Sequence, residues 1–178
     1  MLRDVGQSNN SISKLEIREV RKPEHLHGLD GIVLPGGEST VMAKLLGTSG
    51  LDIPLRRALK EGLPVFGTCA GLILLSSRYG ILDCVVERNS YGTQINSFET
   101  ELELLPTGQT CKAFFIRAPK IVSVGKQVEV IAKNGEDIVG IAEGCNLGIT
   151  FHPEIARSSV FHRFFVAQIC ERLKSTSI

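Results

Sequence analysis

Residues 65–75, Val-Phe-Gly-Thr-Cys-Ala-Gly-Leu-Ile-Leu-Leu, leave this chain few ways to fold. Val65 and Phe66 read as the end of a buried strand, and Leu72 to Leu75 as the start of an apolar helix. Only Gly67-Thr68-Cys69-Ala70-Gly71 lies between them. Gly67 and Gly71 flank the bend, where the backbone must turn sharply and neighbouring segments must approach closely. Cys69 stands at the top of the turn, over a helix N-terminus whose partial positive charge favours a thiolate. The same strand–turn–helix geometry forms the nucleophile elbow of hydrolases. Taken alone, a Gly-x-Cys-x-Gly stretch is equally compatible with a small buried hydrophobe at position 69.

Two other stretches weigh on that choice. Phe151-His152-Pro153-Glu154 follows the apolar run 147–150. On an extended backbone His152 and Glu154 share one face, with Pro153 stiffening the segment. A base oriented by a carboxylate is what a cysteine nucleophile requires. Leu34-Pro35-Gly36-Gly37-Glu38-Ser39-Thr40 follows the apolar strand 31–34. Its glycines free backbone N–H groups to face a ligand, and Glu38, Ser39 or Thr40 can cap the next helix. The N–H groups of Gly37 and of Ala70, just after the cysteine, are candidates for an oxyanion hole.

Together, Pro-Gly-Gly-Glu-Ser-Thr, Gly-Thr-Cys-Ala-Gly and Phe-His-Pro-Glu resemble the class I, or triad, glutamine amidotransferases. Val86-Glu87-Arg88-Asn89-Ser90-Tyr91-Gly92, Gln94, Ser97-Phe98-Glu99 and Phe115-Ile116-Arg117-Ala118-Pro119 narrow the resemblance to the glutaminase subunits of pyridoxal 5′-phosphate synthase. It runs from about residue 19 to about residue 172 and implies one amidotransferase domain over 1–178. The implied fold is α/β, a flavodoxin-like three-layer core with a mainly parallel sheet and a small antiparallel β insertion. The implied catalytic residues are Cys69, His152 and Glu154. Gly37, Glu38, Ser39, Arg88, Ile116 and Arg117 are implied to contact bound L-glutamine. Arg88 or Arg117 can match the α-carboxylate of glutamine bidentately, although most arginines simply make surface ion pairs. The chemistry calls for no metal and no organic cofactor. The implied partner is the synthase subunit that receives the ammonia. Two alternatives stay open: a glutaminase for another synthase, and a catalytically impaired subunit that only binds.

Composition limits the setting. The 178 residues are 43% apolar and 22% charged, with a net charge of +1. This suits one domain with a sizeable core and predicts neither nucleic acid nor an anionic membrane as partner. No apolar run approaches the length of a membrane span. Five cysteines, an odd number without a Cys-x-x-Cys pair, predict free thiols in a reducing, cytoplasmic compartment.

Along the chain, residues 7–14 read as a polar loop, 15–20 as an alternating strand and 23–29 as a turn or short helical piece. His25 and His27 are expected to be solvated, and His162 structural or exposed. Helices are expected at 40–46, at 53–61 and from the elbow to about 78. Strand-like runs at 82–87, 97–104, 112–116, 127–133 and 138–142 suggest an antiparallel meander. The run 147–151 returns to the core, and 158–173 reads as an amphipathic helix. The start departs from the resembled family, which opens with a buried strand and a Gln-Gly turn. Residues 1–6 look instead like the end of that family's first helix. An internal methionine taken as the start is favoured over a truncated variant. The expected consequences are an unpaired edge or internal gap in the sheet and lower stability than an extended chain. Two smaller departures are a short connection at 78–82 and Thr93, where the family usually has arginine; Thr93 is given no binding role.

Overall fold

The structure is a computed structural model that describes residues 15–88 and 97–176. The start at 1–6, the loop at 7–14, and the stretch from Asn89 to Gln94 with Thr93 lie outside the described residues.

The core is a five-stranded sheet in the order β1 (Ile32–Leu34), β2 (Val65–Thr68), β9 (Asn146–Ile149), β8 (Asp137–Glu143), β7 (Glu129–Asn134). β1, β2 and β9 run parallel, with Val33 opposite Phe66 and Phe66 opposite Leu147. β8 and β7 extend the sheet by antiparallel pairing. β2 is central and buried along its whole length, as expected for a strand covered on both faces. Its side chains alternate between two cores. Phe66 points to one with Phe115, Phe151, Phe161 and Phe165, and Val65 to the other with Leu55, Leu59, Leu72 and Leu75. The sheet is therefore the middle of three layers.

The covering helices follow from their sequences. In α1 (Ser39–Thr48), Glu38 caps the N-terminus with both carboxylate oxygens, accepting from Thr40 N–H at 3.0 Å and Val41 N–H at 2.7 Å. α2 (Asp52–Lys60) has Asp52 in its first turn, Arg57 and Lys60 in its last, and buries Leu55 and Leu59, four residues apart. α3 (Ala70–Ile73) leaves the elbow and widens into a π-helix over Leu74–Tyr79. The expected single helix to position 78 is thus of two kinds. Asp52 locks the second part, accepting from Arg78 Nε at 2.8 Å, Arg78 Nη2 at 2.7 Å and Tyr79 Oη at 3.0 Å. α4 (Val160–Thr176) lies on the other face, with Phe161 and Phe165 buried. No helix among the described residues is long and apolar enough to cross a membrane.

The expected meander is instead divided three ways. β3 (Cys84–Glu87) pairs with β6 (Lys120–Val124), and β4 (Phe98–Leu104) with β5 (Gln109–Phe115). β7 and β8 join the main sheet. β6 was absent from the sequence reading, although Ile121, Val122 and Val124 give it β propensity. Residues 15–20, expected to be a strand, form no ladder. They bond locally instead: Arg18 donates to the His27 carbonyl, Arg21 Nε bonds Glu19 at 2.9 Å, and His25 Nδ1 lies 3.2 Å from the Glu19 carbonyl oxygen. His25 is half-buried rather than simply solvated. Alternation alone does not make a strand without a neighbour to pair with. The outer edge of β1 pairs with no described strand. Ile32 N–H bonds the Pro64 carbonyl at 2.9 Å, so Ile32 and Leu34 face β2 and the polar groups of Val33 face outward. A groove of about 1340 Å³ runs along that edge, lined by Leu15, Val20, Val33, Leu46, Phe165 and Ile169 among others.

Candidate active site

Cys69 is held at the C-terminal end of β2 with φ 48° and ψ −102°, an uncommon conformation for a side-chain-bearing residue. Such a residue typically costs about 1–3 kcal/mol and persists where its surroundings enforce it. The enforcement is visible. Cys69 N–H bonds the Ile149 carbonyl of β9 at 2.8 Å. A Cβ on Gly71 would lie 2.1 Å from the Leu34 carbonyl oxygen, so the elbow helix presses directly on β1. A Cβ on Gly67 would lie 2.7 Å from Leu75 Cδ1 and 2.8 Å from the Gly71 carbonyl carbon. Both glycines are there for close approach, as their flanking positions suggested.

His152 stands opposite, just beyond β9. Its N–H bonds the Phe114 carbonyl at 2.9 Å in an isolated antiparallel bridge to β5. The preceding Phe151 is fully buried between Phe115 and Phe161 and anchors the segment. The ring Nδ1 lies 2.7 Å from Glu154 Oε1, and the ring is near enough to the Cys69 thiol for the two to interact electrostatically. His152 and Glu154 meet through a turn at 153–157, not through the strand alternation expected from their spacing. Ser158 N–H closes that turn on the Pro153 carbonyl at 3.1 Å.

The electrostatics follow from these contacts. The interaction with Cys69, followed by the bond with Glu154, raises the His152 pKa to about 10 against the opposing effect of burial. Burial pushes the Glu154 carboxyl up, but the hydrogen bond from His152 and further contacts outweigh it, and the net shift is downward. Behind them, His162 is buried edge-on to Phe66 at a ring separation of 5.2 Å, with no hydrogen-bond partner at Nδ1 among the described residues. Burial holds its pKa down to about 4. Of the two expectations for His162, structural or exposed, the first applies.

Gly36 lies against the His152 ring. Gly37 follows at φ 141°, a conformation that favours glycine, and is exposed. Ser39 is buried at the start of α1. Glu38 is exposed, but its carboxylate is occupied by the helix cap; those two N–H bonds, ahead of an attraction from Arg88, hold its pKa low. Arg88 itself is exposed just past the end of β3. Ile116 and Arg117 follow Phe114, whose carbonyl accepts from the His152 N–H; both are exposed, with Arg117 at φ 45°. Ala70 is buried beside Cys69. The sequence held no signal for the Phe114 carbonyl, which is brought in by strand β5. The arrangement is a thiol, a base that can accept its proton, and a carboxylate to orient the base, with a glycine loop above them.

The chain is similar to known proteins. The SNO glutamine amidotransferase family model matches residues 4–171. The chain is 44% identical over 175 residues to the pyridoxal 5′-phosphate synthase subunit PdxT of Corynebacterium jeikeium, covering 91% of this chain and 90% of that one. It is 46% identical over 167 residues to the protein of the same name from Geobacillus thermodenitrificans, covering 89% and 86%. A solved structure titled as a glutamine amidotransferase superposes with a TM-score of 0.80 at 41% identity, covering 87% of each chain. With the family model spanning nearly the whole chain and relatives this similar, the protein belongs to the SNO glutamine amidotransferase family.

Proposed function

We propose that this chain, as one amidotransferase domain, is the glutaminase subunit of a cytoplasmic pyridoxal 5′-phosphate synthase. It hydrolyses L-glutamine to L-glutamate and ammonia and hands the ammonia to the synthase subunit. The observation that carries the reading is the His152–Glu154 pair at 2.7 Å, with Cys69 near the ring and Gly36 of the glycine loop against it. Relatives named as pyridoxal 5′-phosphate synthase subunits support the choice of pathway.

In this mechanism the Cys69 thiolate attacks the side-chain amide carbon of glutamine. The carbonyl π pair moves to oxygen, where the N–H groups of Gly37 and Ala70 receive the charge. His152, carrying the former thiol proton, donates it to the leaving nitrogen, and ammonia departs from a thioester. The neutral imidazole then takes a proton from water, which attacks the thioester and releases glutamate. Glu154 holds the ring in register and stabilises its charged form. Gly37, Glu38, Ser39, Arg88, Ile116 and Arg117 hold the glutamine. Glu38 would act through its backbone, since its carboxylate caps α1. Ammonia is lost to protonation in water, so direct transfer to a bound synthase is the chemical solution.

The test is glutamate release by the chain together with its synthase subunit. Cys69→Ala is expected to abolish it, and Cys170→Ala to leave it nearly unchanged. Glutamate release retained by Cys69→Ala would overturn the assignment.

A further inference from the structure

We infer that Gly36 is a positioning residue: its missing side chain is the space in which the His152 imidazole sits, and this couples the glycine loop to the base. The inference rests on the glutaminase reading of the site. A Cβ built on Gly36 would fall 2.4 Å from His152 Cε1, 2.7 Å from Nδ1 and 3.4 Å from Nε2. The first two distances are shorter than any real carbon contact tolerates, so one partner must move. The ring has little freedom to move. Its Nδ1 is held by Glu154 at 2.7 Å, and the backbone that carries it is tied by the His152 main-chain N–H to the Phe114 carbonyl at 2.9 Å. Any side chain at position 36 therefore acts on the edge that carries the Glu154 bond.

The two adjacent glycines differ in their physical cause. Gly37 is required by its backbone, at φ 141°. Gly36 has no such dihedral and is required by its neighbour. Rotation of the loop that moves the Gly37 N–H toward or away from the reacting oxygen also changes the room left for the imidazole. Donor and base then move together rather than independently.

The experiment compares Gly36→Ala with wild type, using the full chain with its synthase subunit. Gly47→Ala serves as control, because nothing lies within 4 Å of a Cβ there. Gly36→Ala is expected to lower kcat by about 10²-fold, the usual effect of a misplaced group of this kind, with KM changed less than threefold. The alkylation rate of Cys69 by iodoacetamide at pH 6, followed by peptide mass spectrometry, is expected to fall at least tenfold as the thiolate loses its imidazolium neighbour. Unchanged kcat and alkylation in an active enzyme would overturn the proposal. So would a lower melting midpoint with an unaltered alkylation profile. If Gly36→Ala folds poorly, the same substitution is made in a His152→Gly background, where it should cost no melting temperature; an equal loss in both backgrounds overturns the proposal. If wild type releases no glutamate but Gly36→Ala still slows Cys69 alkylation, the glutaminase reading fails and the positioning role stands.

Discussion

His152 and His162 lie ten positions apart and are pushed in opposite directions by their surroundings. His152 gains partners in the folded state and its pKa rises from 6.5 to about 10. Its contribution to stability is full below pH 6.5 and is lost as pH rises through about 10. His162 is buried without a partner at Nδ1 among the described residues, and its pKa falls to about 4. Its neutral form is favoured by folding, so that contribution is present above pH 6.5 and lost as pH falls toward 4. Of these two histidines, His162 responds to acid and His152 to alkali. His162→Leu is expected to remain within about 1 kcal/mol of wild type at pH 7, since it removes an unsatisfied polar atom along with the ring. Urea unfolding at pH 7 and pH 4.5 should show the acid-induced loss reduced by roughly 2–3 kcal/mol relative to wild type. An identical loss in both proteins would show that His162 does not carry the acid sensitivity. Glu154→Gln tests the other histidine. The ring keeps its place but loses the charge that stabilises its protonated form, so the alkaline limb of the activity profile should move to lower pH.

At the scale of elements, the elbow is a packing problem between α3, β1 and β2. Gly71→Ala would drive a methyl group into the Leu34 carbonyl, and a backbone atom cannot step aside as a flexible side chain can. Its cost should exceed about 3 kcal/mol, at the upper end of overpacking effects. Gly47→Ala in α1 meets no neighbour and should instead stabilise by roughly 0.5–1 kcal/mol through helix propensity. Thermal melts of the pair should therefore move in opposite directions. Glu38→Ala removes the α1 cap and should lower the thermal unfolding midpoint. Because Glu38 directly follows Gly36-Gly37, its loss should also raise KM for glutamine, whereas a surface change such as Lys60→Ala should not.

At the scale of the whole molecule, the sheet converts distant segments into one site. β2 delivers Cys69, β9 leads to His152, β1 leads to the glycine loop, and β5 supplies the carbonyl that fixes His152. A glutaminase running alone would waste glutamine, and its glycine loop provides a means of restraint. A Gly37 N–H turned away removes one oxyanion donor, worth about 10²–10³-fold in rate. A synthase that binds the turned-in state more tightly would restore it. We therefore expect weak glutamate release from the isolated chain and a large rise in kcat on adding the purified synthase subunit. Equal rates with and without the partner would remove this regulation and leave the hydrolytic assignment untouched.

The elbow at 67–71 was legible from residue order alone, because glycine spacing and an apolar run constrain local backbone whatever the rest of the chain does. The three motifs that meet at the site were legible for the same reason, since each is a short stretch with its own turn chemistry. α2 and α4 were legible from their apolar periodicity. The pairing of the antiparallel strands was not, because strands 82–87 and 120–124 are far apart in sequence and their partnership depends on which edges the core leaves available. The segment at 15–20 shows the converse: it has an alternating pattern, but no described strand pairs with it. The turn that joins His152 to Glu154, the Phe114 carbonyl behind His152 and the imidazole filling the place of a Gly36 side chain were all decided by tertiary structure. Each is a contact between residues whose separation in space the sequence does not encode locally; only packing of the three layers sets those distances.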